Sequence, residues 1–132
     1  MMDREKILYK DEGYQIYGAI FEVYKVMGSG FLEAVYQECL EREFLLRKIP
    51  FEPQKKLTLS YKDKPLSQIF SVDFLCYDKI VVELKAVKKI LPEHQAQTLN
   101  FIKASNFKLG LLVNFGAHPK IEMQRLVNHM LQ

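Results

Sequence analysis

The stretch Phe70-Ser71-Val72-Asp73-Phe74-Leu75-Cys76, followed after three residues by Ile80-Val81-Val82-Glu83-Leu84-Lys85-Ala86-Val87, decides how this chain folds. Both runs are short and rich in β-branched and aromatic residues, so both read as strands. Side chains alternate between the two faces of a strand. The even positions are Phe70, Val72, Phe74 and Cys76, then Ile80, Val82, Leu84 and Ala86. All are apolar or small and are expected on one core face. Asp73, Glu83 and Lys85 fall at odd positions and share the other face. Matching even with even excludes a two-residue loop and leaves a three-residue loop, Tyr77-Asp78-Lys79, or a five-residue one. In that register Phe74 meets Val82 and Asp73 meets Glu83, with Cβ atoms about 5 Å apart. Carboxylates that close repel, so either a cation lies between them or one keeps its proton.

Helical spacing surrounds this hairpin. Residues 5 to 27 place Ile16, Ile20, Val23 and Met27 on one face, and Gly28-Ser29-Gly30 stops that helix. A second helix follows, with Leu32, Val35, Tyr36, Cys39, Leu40 and Phe44 as its buried stripe. Arg47, Lys48 and Pro50 mark its end. From Lys55 the period becomes two, and Lys62-Asp63-Lys64-Pro65 forms a turn. Leu91-Pro92-Glu93 opens a third helix running to about Ala104. Residues 108 to 115 lack strict alternation, which suits a strand covered on both faces. Ile121 to Leu131, carrying Met123, Leu126, Val127 and Met130, reads as a last helix. The predicted order is α-α-β-β-β-α-β-α, an α/β chain whose mixed sheet has helices on both faces.

The 132 residues fit one domain, 1–132, and the composition is globular. The net charge of +3 permits a nucleic-acid partner without demanding one. Lysines cluster at 55–56, 62–64 and 85–89, which ordinarily marks a solvated face. Cys39 and Cys76 sit in apolar surroundings, without metal-ligand spacing, as in a reducing compartment. No apolar run reaches membrane-spanning length and the start has no signal-peptide pattern, so a cytoplasmic location is expected.

Two readings of the facing acids stay open at this point. Asp73 and Glu83 can bind a divalent cation such as Mg²⁺, with Lys85 orienting water or stabilising charge on a phosphate. Alternatively the three residues form an exposed cross-strand salt-bridge cluster, and spacing alone favours that. His94, Gln97 and Phe101 share one helix face, from which Gln97 could reach the acids. Glu33, in the first turn of the second helix, is either a dipole-matching acid or a third carboxylate of the site.

Asp73 with Glu83-Leu84-Lys85 resembles the D…ExK pattern of the PD-(D/E)XK nuclease superfamily. Gly30-Phe31-Leu32-Glu33-Ala34-Val35-Tyr36 resembles the signature of its GxxExxY branch. Further similar stretches are Ile49 to Gln54, Val72 to Leu75, His94 to Gln97 and Leu109 to Gly116. The resemblance implies a restriction-endonuclease-like αβββαβ core with an extra N-terminal helix and a C-terminal helix. It implies Glu33, Asp73 and Glu83 as metal ligands, Mg²⁺ or Mn²⁺ as cofactor and Lys85 as the catalytic lysine. Leu84 would add its backbone carbonyl. Gln97 with Phe101 is similar to a QxxxY element in which Phe replaces Tyr, so Gln97 is also expected to act in catalysis. The expected activity is phosphodiester hydrolysis in nucleic acid, DNA in the first instance. The alternative is a binding module that keeps the fold without catalysis. A homodimer or larger assembly would help so small a chain to grip a duplex.

Overall fold

The computed structural model describes residues 7–129. In chain order the elements are α1 (Lys10–Met27), α2 (Glu33–Leu46), β1 (Phe51–Tyr61), β2 (Lys64–Cys76), β3 (Ile80–Lys85), α3 (Pro92–Ala104), β4 (Leu109–Asn114) and β5 (Glu122–Val127). The strands lie in the order β1-β2-β3-β4-β5, with β3 and β4 parallel and the other neighbours antiparallel. The mixed α/β architecture expected from the sequence is therefore present, built on three helices and five strands among the described residues.

α1 buries Ile16, Ala19, Ile20 and Val23 and ends at Gly28, whose φ of 71° lies in the left-handed region that glycine tolerates. α2 buries Tyr36, Leu40 and Phe44. These residues pack with Phe74, Cys76, Ile80, Val82, Leu84, Leu109, Leu111 and Val113 on one sheet face. Leu75, Val81 and Val72 pack with Ile102 of α3 on the other. All six residues of β4 are buried, as a strand covered on both faces requires. α3 comes so close to β4 that a Cβ on Gly110 would lie 3.1 Å from Ile102 Cγ2.

Three expectations are corrected. The first is the C-terminal helix, which is instead β5, paired antiparallel to β4 from Leu109↔Val127 to Asn114↔Glu122. Met123 and Val127 join the α1/α2 cluster while Leu126 joins the α3 cluster. The three-and-four spacing hid this alternation, and the open hydrogen-bonding edge of the buried β4 wins over helical propensity. Residues 130 and 131 of the expected helix lie outside the described residues. The second is parity. Phe74 and Cys76 face α1 and α2 with Ile80, Val82 and Leu84, but Val72 and Phe70 turn to the α3 side. β2 therefore changes face at Asp73. Gln54 of β1, at the same level, has a left-handed φ of 48°. The third is Leu32, expected in the buried stripe but 79% exposed before the first turn of α2.

The three-residue loop at Tyr77-Asp78-Lys79 is present and gives the register Phe74↔Val82, Leu75↔Val81 and Cys76↔Ile80. The β2–β3 ladder goes no further than Phe74. Beyond it β1 and β2 continue as a two-stranded ribbon, turned at Lys62-Asp63 with left-handed φ of 50° and 66°.

Candidate active site

Where β2 parts from β3, the two acids replace the missing ladder. The Asp73 backbone N–H donates to Glu83 Oε1 at 3.0 Å, and the Leu84 backbone N–H donates to Asp73 Oδ2 at 2.7 Å. Each strand thus hydrogen-bonds the carboxylate of the other. Gln54 Nε2 reaches Asp73 Oδ1 at 3.3 Å, and Gln37 Nε2 holds the Asp73 carbonyl at 3.2 Å. A cleft of about 320 Å³ opens here between α2 and the base of the ribbon, lined by Glu33, Ala34, Gln37, Gln54 and Asp73.

Glu33 is brought to this cleft by the loop before α2. Gly30 has a φ of 110°, which a side chain would strain. The buried Tyr36 hydroxyl donates to the Gly28 carbonyl at 2.6 Å and accepts from the Phe31 N–H at 3.2 Å. Its ring stacks on Phe115 with centroids 4.5 Å apart. The glycine, glutamate and tyrosine spacing read from the sequence is therefore a clamp: Gly30 makes the bend, Tyr36 pins it, and Glu33 leaves it at the helix start.

Electrostatics separate this cluster from a surface salt bridge. Burial first, and then the Asp73 carboxylate, push Glu83 up to about 8. Desolvation and then Asp73 also raise Glu33, while Lys85 and His94 pull it down. Among the described residues Lys85 forms no ion pair within 4.0 Å with either acid. The expected cross-strand salt-bridge cluster is therefore absent among them. Asp73 and Glu83 are instead close, under-neutralised and partly buried, with the lysine standing off.

Hard carboxylate oxygens next to one another, with second lone pairs free, suit a divalent cation such as Mg²⁺. The donor set therefore fits. No three His, Cys, Asp or Glu side chains among the described residues are yet gathered into a coordination set, so Glu33 stands near the pair without joining it.

Residues 10–126 match the PD-(D/E)XK nuclease superfamily. This chain belongs to that superfamily. The crystal structure of SSO0001 shares the fold, with a TM-score of 0.56 at 14% identity over 72% of this chain and 49% of that one. The chain thus spans about half the length of that protein. No curated protein matches the sequence.

Within this nuclease-superfamily fold, Asp73, Glu83 and Lys85 lie together at the end of β3, with Glu33 across the cleft. Gln97 is not drawn in: it is exposed on α3, and no hydrogen bond joins it to the acids among the described residues. Phe101 stacks on Phe70, centroids 4.1 Å apart, and serves the second core. Three contributors escaped the sequence reading. Gln37 and Gln54 hold Asp73, and only the second lay in a stretch already singled out by resemblance. The third is Asn114, fully buried. Its Oδ1 accepts from the Val87 and Gly116 N–H groups, each at 3.0 Å. Its Nδ2 donates to Glu122 Oε1 at 3.0 Å, and that oxygen also accepts from Ile90 N–H at 3.0 Å. This network fixes the chain that leaves Lys85. Its signal was a polar Asn at the end of an otherwise apolar strand.

Proposed function

We propose that the chain is a Mg²⁺- or Mn²⁺-dependent phosphodiesterase acting on nucleic acid, with DNA as its substrate. Within the superfamily we place it in the GxxExxY branch, on the clamp formed by Gly30, Glu33 and Tyr36. One observation carries the reading: Asp73 and Glu83 meet where β2 leaves β3, with Lys85 beside them and not spent on an ion pair to either. Glu33, Asp73, Glu83 and the Leu84 carbonyl would hold the cation, which supplies Lewis acidity when bound. Hydrolysis forms a bond from a water oxygen to phosphorus, breaks one ester P–O bond and delivers a proton to the leaving oxygen. Lys85, as an ammonium, orients that water and stabilises charge gathering on the non-bridging oxygens. Gln97, on α3, would help orient the site. The nuclease-like domain comprises residues 1–132 and works in the cytoplasm; no helix among the described residues is long and apolar enough to cross a membrane.

The test is cleavage of single-stranded, duplex and branched DNA with Mn²⁺ by wild type and Lys85→Ala. Cleavage lost in the variant supports the activity, and equal residual cleavage by both proteins refutes it. The engagement of both Asp73 oxygens by Leu84 and Gln54 favours a second reading, a binding module that keeps the fold without catalysis. Titration calorimetry separates the two. Mn²⁺ uptake lost in Asp73→Asn supports the enzyme, and no uptake by wild type supports the module.

A further inference from the structure

The ribbon formed by β1 and β2 beyond Asp73 runs out past the rest of the sheet. From the level of Gln54 and Asp73 to the turn at Lys62 is eight residues, about 26 Å at roughly 3.3 Å per residue. Its lower part rests on α3 through Leu57, Phe70 and Val72. Past the Thr58↔Ile69 pair, where the register shifts, no described element covers either face of the strands. Tyr61, Ile69 and Leu66 are 64%, 52% and 41% exposed there. An isolated two-stranded hairpin is marginal in water, so an uncovered one points to something that covers it.

Charge says what. Between Lys55 and Val72 there are four lysines, Lys55, Lys56, Lys62 and Lys64, against one acid, Asp63. That excess of three equals the net charge of the whole chain, so the remainder is neutral. Lys55 is paired with Glu52 at 3.0 Å; Lys56, Lys62 and Lys64 are exposed. The site at the ribbon's base sets three carboxyl groups, Glu33, Asp73 and Glu83, against a single lysine, Lys85, and by itself offers a polyanion little attraction. Attraction must come from another surface, and the ribbon rises from the sheet end that carries the site.

We infer that residues 55–72 form an arm that docks along the phosphate backbone of a B-form DNA duplex. Lys56, Lys62 and Lys64 contact phosphates, and the tip enters the major groove. That groove, about 12 Å wide, admits a two-stranded β-ribbon, whereas the A-form groove of RNA is too narrow for side chains. Tyr61, on whose ring Lys62 Nζ lies 5.5 Å from the centroid, and Leu66 supply apolar contact with sugars and thymine methyls. This inference rests on the proposed function and adds the duplex form of the substrate and the surface that selects it.

The test measures binding of a fluorescent DNA duplex and of a single strand, with Ca²⁺ present, across a series of KCl concentrations. The variant is Lys56→Gln/Lys62→Gln/Lys64→Gln; the control removes three lysines elsewhere, Lys25→Gln/Lys103→Gln/Lys108→Gln. The arm predicts a salt slope for duplex reduced by about 2 to 3, from ~0.9 per lost phosphate contact, with little change in the control. Single-strand binding falls much less. An unchanged duplex slope, an equal change in the control, or equal losses on duplex and single strand overturns the arm while leaving the site's activity open. Wild type that binds no nucleic acid overturns the arm and the proposed function together. Loss of self-association in the triple variant, with DNA binding intact, would make the ribbon a protein interface and also overturns the inference.

Discussion

Replacing Glu83 by glutamine should raise the stability of the metal-free protein at alkaline pH. Glu83 ionises near 4.5 in an unfolded chain and near 8 in the fold, because burial and the Asp73 carboxylate both oppose its charge. A group whose folded value is raised gives stability that is complete below the unfolded value and lost as pH climbs through the folded one. Across that window the native state holds a proton that the unfolded chain has released. Each pH unit then removes about 1.4 kcal/mol. From about pH 5 to about pH 8 the loss is on the order of 4 kcal/mol, a large share of the 5–15 kcal/mol typical of a domain. The amide introduced by Glu83→Gln keeps an oxygen for the Asp73 N–H and cannot ionise. The assay is urea unfolding of both proteins in EDTA at constant ionic strength, stepped through this range. The two should nearly coincide at the acidic end and separate steadily above it, the variant being the more stable. A gap that stays constant within about 0.5 kcal/mol would refute the claim that Glu83 is desolvated and opposed by Asp73. Saturating Mg²⁺ should narrow the gap by stabilising the charged form, and Asp73→Asn should end the pH-dependent loss at a lower pH than in wild type.

Other consequences can be measured in parallel. Tyr36→Phe removes the hydroxyl that bonds Gly28 and Phe31, costing about 1–2 kcal/mol in denaturant unfolding and lowering cleavage through a loosened Glu33. Asn114→Ala strands the Val87 and Gly116 N–H groups inside the fold and should cost about 2–4 kcal/mol, read as a drop in urea midpoint. Gly110→Ala places a methyl against Ile102 and Thr98 and should cost about 1–3 kcal/mol by overpacking, with the denaturant slope unchanged. Mn²⁺ at a hundred times its Kd should stabilise wild type by about 2.7 kcal/mol and leave Asp73→Asn unmoved in thermal unfolding.

How much of this was legible in the sequence varies with the physics behind each part. The hairpin register was legible because its loop length and apolar alternation both constrain it. Phe74↔Val82 follows from parity, which left a three- or a five-residue loop open, and the shorter loop, Tyr77 to Lys79, is the one formed. The proximity of Asp73, Glu83 and Lys85 came with them. The change of face at Asp73 was not legible, because it depends on two carboxylates taking backbone N–H groups from opposite strands, and no periodicity encodes that. β5 was hidden by an accident of spacing: Met123, Leu126, Val127 and Met130 satisfy a helical period, while the deciding factor is the bare edge of β4, a tertiary fact. Glu33 could be nominated from Gly30 and Tyr36, yet the reason the three occur together, a hydroxyl spanning the bend, required the fold. Gln97 shared a helix face with His94, but nothing in the sequence said how that face would turn relative to the acids.

The exchange of backbone N–H groups between Asp73 and Glu83 has a spectroscopic consequence. Each of two amides, those of Asp73 and Leu84, ends on a carboxylate oxygen instead of a peptide carbonyl. Their ¹⁵N and proton resonances therefore sense the charge on those oxygens at first hand. Anything that protonates the pair, or draws it toward a cation, should move these two signals before the rest of the sheet responds. The chain carries an internal probe of its own site, one that needs no added reporter group and no substrate.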